Sequence, residues 1–198
     1  MENHKNNLIF TSYGLTSERG RKLIFKALKN DDTLYKKRIL VFDEPYDYLD
    51  NALVNACLEL GFSRENIILS RHINSSYEKL DVEYIYVGEG NAFQILALMR
   101  KKGYDKLIKD LFNKGVTYIG ASAGAMISGK DIEEALSFDK NTVYMTDFTA
   151  LELWDGIVIP HYTKQELKRY IKNSPGIECR YKHIYSVAND RILVLCEL

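Results

Sequence analysis

A serine attacks a carbonyl only if it is exposed, uncrowded and served by a base. One stretch of this chain meets the first two conditions by residue type alone. Gly120-Ala121-Ser122-Ala123-Gly124 sets Ser122 between two alanines and two glycines. The strand-like run Val116-Thr117-Tyr118-Ile119 precedes it and a helical pattern follows. A serine at the tip of a strand–turn–helix is held in a strained conformation with its Oγ above the sheet. The positions two before and two after must then be small, because strand and helix backbones converge there. The amide of Ala123, at a helix start, is placed to help hold an oxyanion. The plainer reading is a glycine-rich turn with Ser122 as a helix N-cap. A phosphate-cradling loop fits poorly, since the Gly-x-x-x-x-Gly-Lys-Ser/Thr spacing is missing.

Two further segments could complete such a site. Val87-Gly88-Glu89-Gly90-Asn91-Ala92-Phe93 leaves an apolar run. Its glycines allow a sharp turn with N–H groups pointing outward, as the second half of an oxyanion hole requires. Alone it also reads as a strand-to-helix turn with Asn91 as N-cap. A serine nucleophile needs a base, and imidazole titrates in the right range. Of the four histidines, His4 lies in the N-terminal segment, His72 in a polar loop and His183 near a strand start. His161 directly follows Ile157-Val158-Ile159-Pro160, and so stands at a strand end where a base belongs. A third group must orient the imidazole. Asp147 would give the chain order Ser–Asp–His; Asn189 or Asp190, in a turn between late strands, would give Ser–His–acid. Sequence physics leaves both orders open.

The elements that must position these groups alternate. Strand-like runs at residues 8–11, 38–42, 66–69, 83–87 and 116–120 are separated by helical patterns at 18–29, 46–60, 92–102 and 104–114, and a further one follows at 123–137. Gly61 reads as a C-terminal cap. Strands alternating with helices imply βαβ units and a parallel sheet. The near-continuous apolar strands imply helices on both faces. The expected fold class is therefore α/β, a three-layer sandwich with a mostly parallel central sheet, in one domain over residues 1–198. Four late strands at 143–145, 157–159, 184–187 and 192–195, with few helices between them, should extend the sheet or form a small antiparallel element at its edge. In such sheets ligands sit beyond the carboxyl ends of the strands, which is where all three candidate segments fall.

Composition narrows the partners. Lys plus Arg and Asp plus Glu both total 27, so the formal charge is zero. That argues against nucleic acid or an anionic membrane as partner, because both require a positive field. Cys57, Cys179 and Cys196 are odd in number and lack metal-ligand spacing. They suit a reducing compartment and buried apolar roles. The polar N-terminal segment is unlike a secretory signal. No stretch approaches the roughly 18 apolar residues of a membrane span. The expected location is cytoplasmic.

Taken in order and spacing, four anchors resemble the dipeptidase E and cyanophycinase family of serine peptidases, whose fold is class I glutamine amidotransferase-like. They are Tyr86-Val87-Gly88-Glu89-Gly90-Asn91-Ala92-Phe93, Tyr118-Ile119-Gly120-Ala121-Ser122-Ala123-Gly124-Ala125, Asp139-Lys140-Asn141 and the stretch from Thr146-Asp147 to Pro160-His161-Tyr162. The resemblance covers most of the chain. It implies Ser122 as nucleophile, His161 as base, and the amides of Gly90 and Ala123 as oxyanion donors. It also implies an orienting acid in the late turn, here Ala188-Asn189-Asp190, and an aspartate matching Asp147 near the site.

Three positions depart from the family pattern. The usual Gly-Gly-Asn-Thr core reads Glu89-Gly90-Asn91-Ala92, which brings a side chain to the oxyanion loop. Asn189 stands at the best match to the orienting glutamate. The arginine that reads an N-terminal aspartate has no clear counterpart; Lys168 and Arg169 are only nearby, so aspartyl specificity is not carried over. The expected activity is a serine hydrolase acting through an acyl-enzyme on a short peptide or related amide, with no metal or organic cofactor. A homodimer is left open. The contrasting expectation, motivated by Glu89 and Asn189, is a catalytically weakened relative that binds a small ligand. Amidotransferase chemistry would place a cysteine where Ser122 stands.

Overall fold

The apolar runs of the sequence become strands whose residues alternate between two cores. In the computed structural model, residues 7–28, 32–45, 50–73 and 80–196 are described. The strands are β1 (Asn7–Thr11), β2 (Ile39–Phe42), β3 (Ile67–Leu69), β4 (Tyr84–Val87), β5 (Thr117–Ala121), β6 (Gly156–Pro160), β7 (His183–Val187) and β8 (Ile192–Cys196). The helices are α1 (Glu18–Ala27), α2 (Asp50–Leu60), α3 (Ala92–Lys102), α4 (Tyr104–Asn113), α5 (Ala123–Ile127), α6 (Lys164–Asn173) and α7 (Ile177–Arg180). The main sheet has the order β3-β2-β4-β5-β1-β8. Its neighbours are parallel except β8, which runs antiparallel to β1.

Because side chains alternate along a strand, each central strand feeds both faces. Leu8, Phe10, Leu40, Phe42, Ile85, Val87 and Tyr118 pack against residues of α3, α4 and α5. Ile9, Ile39, Val41, Tyr86, Ile119 and Ala121 pack against Ile24 of α1 and Leu53, Ala56, Cys57 and Leu60 of α2. This is the three-layer α/β sandwich that the apolar runs imply. Burying each large side chain contributes roughly 1.5–3 kcal/mol, so the completely buried Phe10, Leu40 and Ile85 anchor the sheet under the site.

Several expectations are corrected. The helix expected over 123–137 stops at Ile127, and residues 133–137 form a separate 3-10 turn. The cause is an incoming loop that takes the carbonyls at the helix end. Leu151 N–H donates to Ile127 O at 2.9 Å, Leu153 N–H to Ser128 O at 3.0 Å and Glu152 N–H to Gly129 O at 2.7 Å. Residues 143–145 are not a strand. The Asn141 side chain satisfies both backbone groups of Met145, accepting its N–H at 2.9 Å and donating to its carbonyl at 2.7 Å, so Met145 needs no strand partner. β6 and β7 do not extend the sheet and are not antiparallel; they form a separate parallel pair. A parallel pair requires a crossover, which α6 and α7 supply. Only β8 extends the main sheet.

α6 is a helix beyond those the sequence implies, and Thr163 and Glu166 form a reciprocal capping box at its start. Cys57 is buried, and burial pushes its thiol up to about 12. Cys179 and Cys196 are exposed, against the expectation of buried roles. His4, Lys29 and residues 46–49 lie outside the described residues.

Candidate active site

Strand register delivers the elbow. Gly120 lies opposite Phe10 of β1 and Val87 of β4, and Ala121 lies opposite Thr11. Ser122 therefore leaves β5 beside the ends of both neighbours, at φ 51° and ψ −110°. Non-glycine residues avoid this conformation, which persists only where surrounding bonds impose it. Ser122 N–H donates to Thr11 O at 2.9 Å and Gly124 N–H to Gly88 O at 3.0 Å. A Cβ on Gly124 would run into the Val87 carbonyl oxygen, and one on Gly120 would lie 2.7 Å from the Gly124 carbonyl oxygen. Burial pushes the Tyr118 phenol well above its ordinary range, so it stays protonated and donates to Gly124 O at 2.7 Å.

The second sheet delivers His161, the candidate base. Pro160 pairs with Val187 at the carboxyl ends of β6 and β7, so His161 and the 188–190 turn leave side by side. His161 Nε2 lies 3.1 Å from Ser122 Oγ, and Nδ1 lies 2.8 Å from Asn189 Oδ1. An amide oxygen only accepts, so Nδ1 carries the proton and Nε2 presents its lone pair to the serine. His161 has φ 64°. Its N–H donates to Ser12 Oγ at 2.9 Å, and Ser12 Oγ donates to Val187 O at 2.6 Å. The Tyr13 ring stands edge-on to the imidazole at 5.6 Å.

The other expected residues fall elsewhere. Asp147 accepts the Thr149 N–H at 3.0 Å and faces Arg100 at 3.3 Å, with its side chain 68% exposed. Hydrogen bonds from Thr149, aided by Arg100, hold its carboxyl below the usual range. Its polar partners are thus on the α3 side, and the position beside His161 Nδ1 is taken by Asn189. Asp190 is exposed, with the Arg191 guanidinium 3.8 Å away. Glu89 accepts from the Thr16 hydroxyl at 3.0 Å, which commits its carboxylate to the β1–α1 loop. Gly90 has φ 143°, a conformation open to glycine. Asn91 is the N-cap of α3, accepting Gln94 N–H at 3.1 Å, and its amide donates to Lys140 O at 2.9 Å. Asp139 accepts Ala92 N–H at 2.8 Å, fixing the same corner. Ala123 opens α5, where an amide has no partner within its own helix.

His183 begins β7, at the end away from His161, and stacks on Tyr185; His72 closes a 3-10 turn after β3. Lys168 and Arg169 lie on the exposed side of α6. Ser12 and Tyr13 escaped the sequence reading. The signal available was position alone: they follow β1 on the same carboxyl rim as the other groups. Among the described residues, no group of three or more His, Cys, Asp or Glu side chains is arranged as a metal set.

Comparison with known proteins adds an independent line. Residues 43–197 match the description of peptidase family S51. An uncharacterized peptidase of Pasteurella multocida is 39% identical over 141 residues, covering 69% of this chain and 63% of that protein. One from Listeria innocua is 38% identical over 140 residues, covering 70% and 65%. Peptidase E of Haemophilus influenzae is 27% identical over 123 residues, covering 62% and 55%. The matches thus span less than two thirds of these curated relatives. A crystal structure of a Listeria monocytogenes protein, provisionally named a peptidase E, superposes with a TM-score of 0.67 at 25% identity, over 97% of this chain and 95% of that one. A peptidase from an acI-B1 Actinobacterium shares the fold, with a TM-score of 0.61 at 15% identity over 97% and 84%.

Proposed function

The chain belongs to peptidase family S51, and from that premise we propose that it is a serine peptidase acting on short peptides or related amides. The observation that carries this reading is the chain of contacts from Ser122 Oγ to His161 Nε2 at 3.1 Å and from His161 Nδ1 to Asn189 Oδ1 at 2.8 Å. Ser122 Oγ attacks the scissile carbonyl carbon while His161 Nε2 takes the hydroxyl proton. The amides of Gly90 and Ala123 hold the oxyanion. Collapse expels the amine, which takes the proton from His161 and leaves an acyl-enzyme. Water, activated through the same imidazole, releases the acid.

Asn189 holds the tautomer and the ring orientation without adding a charge to the imidazolium. The contrasting reading, a weakened relative kept for binding, drew on Glu89 and Asn189. Glu89 is bonded to Thr16 and Asn189 accepts from His161, so neither interrupts the contact chain.

Hydrolysis of a panel of short peptides and chromogenic amino-acid amides tests the proposal. Wild type should turn over at least one of them, and Ser122→Ala and His161→Ala should each lose that activity while keeping a native circular-dichroism spectrum. Turnover in Ser122→Ala equal to that of wild type would reject the reading.

A further inference from the structure

We propose that Ser12 is the positioning residue that sets His161 and the orienting turn in register with Ser122; this rests on the reading of His161 as the base. Ser122 comes off the six-stranded sheet, whereas His161 and Asn189 come off the separate β6–β7 pair. The distance from Oγ to Nε2 therefore spans a joint between two sheets, and something at that joint must define it. Ser12 sits there, one residue beyond β1, completely buried.

Its single hydroxyl makes two bonds at once. It donates to Val187 O at 2.6 Å, fixing the end of β7 two residues before Asn189. It accepts His161 N–H at 2.9 Å, fixing the backbone of the base itself. The preceding residue, Thr11, accepts the Ser122 N–H at 2.9 Å. Two adjacent residues thus tie down the backbones that present the nucleophile, the base and the orienting amide.

The chemistry calls for a hydroxyl. A carbonyl and an amide can be satisfied together only by a group that both donates and accepts. His161 also needs this bond, because a non-glycine residue at φ 64° keeps that conformation only when external bonds impose it. Tyr13, next in the chain, places its ring edge-on to the imidazole. Ser12 touches none of the reacting atoms and acts through where it puts His161.

Ser12→Ala and Ser12→Thr, assayed beside wild type, test the proposal. Ser12→Ala should lower kcat, and the rate at which a fluorophosphonate labels Ser122, by about tenfold while KM stays within about twofold. Ser12→Thr, which keeps the hydroxyl, should recover most of that loss. A lowered melting temperature in Ser12→Ala with unchanged kcat and labelling rate overturns the proposal. One measurement needs neither a folded variant nor turnover. In wild type the His161 backbone amide should exchange with deuterium at least about 100-fold more slowly than an open loop amide. Exchange at the open-loop rate also overturns it. A wild type that is never labelled and hydrolyses nothing would remove the peptidase reading by itself, whereas open-loop exchange at His161 would overturn the Ser12 proposal whatever the activity.

Discussion

At the Ser122 elbow, backbone meets backbone: the Gly124 and Ser122 amides bond to carbonyls of the neighbouring segments, and no space is left for a Cβ at Gly120 or Gly124. At the turn of residues 188–190, one side-chain amide reaches one imidazole nitrogen across 2.8 Å. In the proposed mechanism both regions serve the same reaction centre. The first leaves almost no choice of residue, because its geometry is set by close approach. The second can accept another side chain of similar reach, because its geometry is set by a hydrogen bond. Substitutions should therefore break the elbow and tune the turn.

The largest effect is expected at the elbow. Gly124→Ala pushes a methyl group into the Val87 carbonyl, and should cost about 1–3 kcal/mol in urea unfolding and about 10²-fold or more in kcat. An unperturbed Gly124→Ala protein would erase the contrast. At the turn, Asn189→Ala removes one neutral hydrogen bond from the imidazole, so kcat should fall only about tenfold, equivalent to ~1.4 kcal/mol. Asn189→Asp should change the rate in the other direction. A carboxylate beside the imidazole favours its charged form, so the acid limb of kcat/KM should move to higher pH and the plateau should rise up to about tenfold. An unmoved limb would mean that residue 189 does not reach the base. The smallest effect is expected at Asp147. Its hydrogen bonds from Thr149 and its Arg100 pair are at the surface, so Asp147→Asn should leave kcat within about twofold. A loss as large as that in Asn189→Ala would transfer the orienting role to Asp147.

The same contrast explains what was legible in the sequence. The elbow is written in residue types, since only small residues fit two before and two after Ser122. His161 is legible because it follows an apolar run and a proline. The third member is not, because it depends on the β6–β7 register that sets Pro160 against Val187. That register depends in turn on a crossover through α6, whose apolar face, Leu167 with Tyr170 and Ile171, marks a helix but not the strands it joins. Ser12 is silent in the sequence for a related reason. Its two bonds reach across 149 and 175 positions of chain, and nothing local marks the hydroxyl as different from any other. The alternating cores of the main sheet were legible because each strand carries its own two-face pattern. The break of the expected 123–137 helix was not, because residues 151–153, from outside that segment, cause it.

The central claim is that Ser122 is a nucleophile activated by His161. Mass-spectrometric mapping of the protein after exposure to a fluorophosphonate probe tests it most directly. The account predicts one adduct, on the peptide carrying Ser122, absent in Ser122→Ala and formed far more slowly in His161→Ala. No adduct under alkaline conditions with excess probe, or an adduct that survives Ser122→Ala, would contradict it.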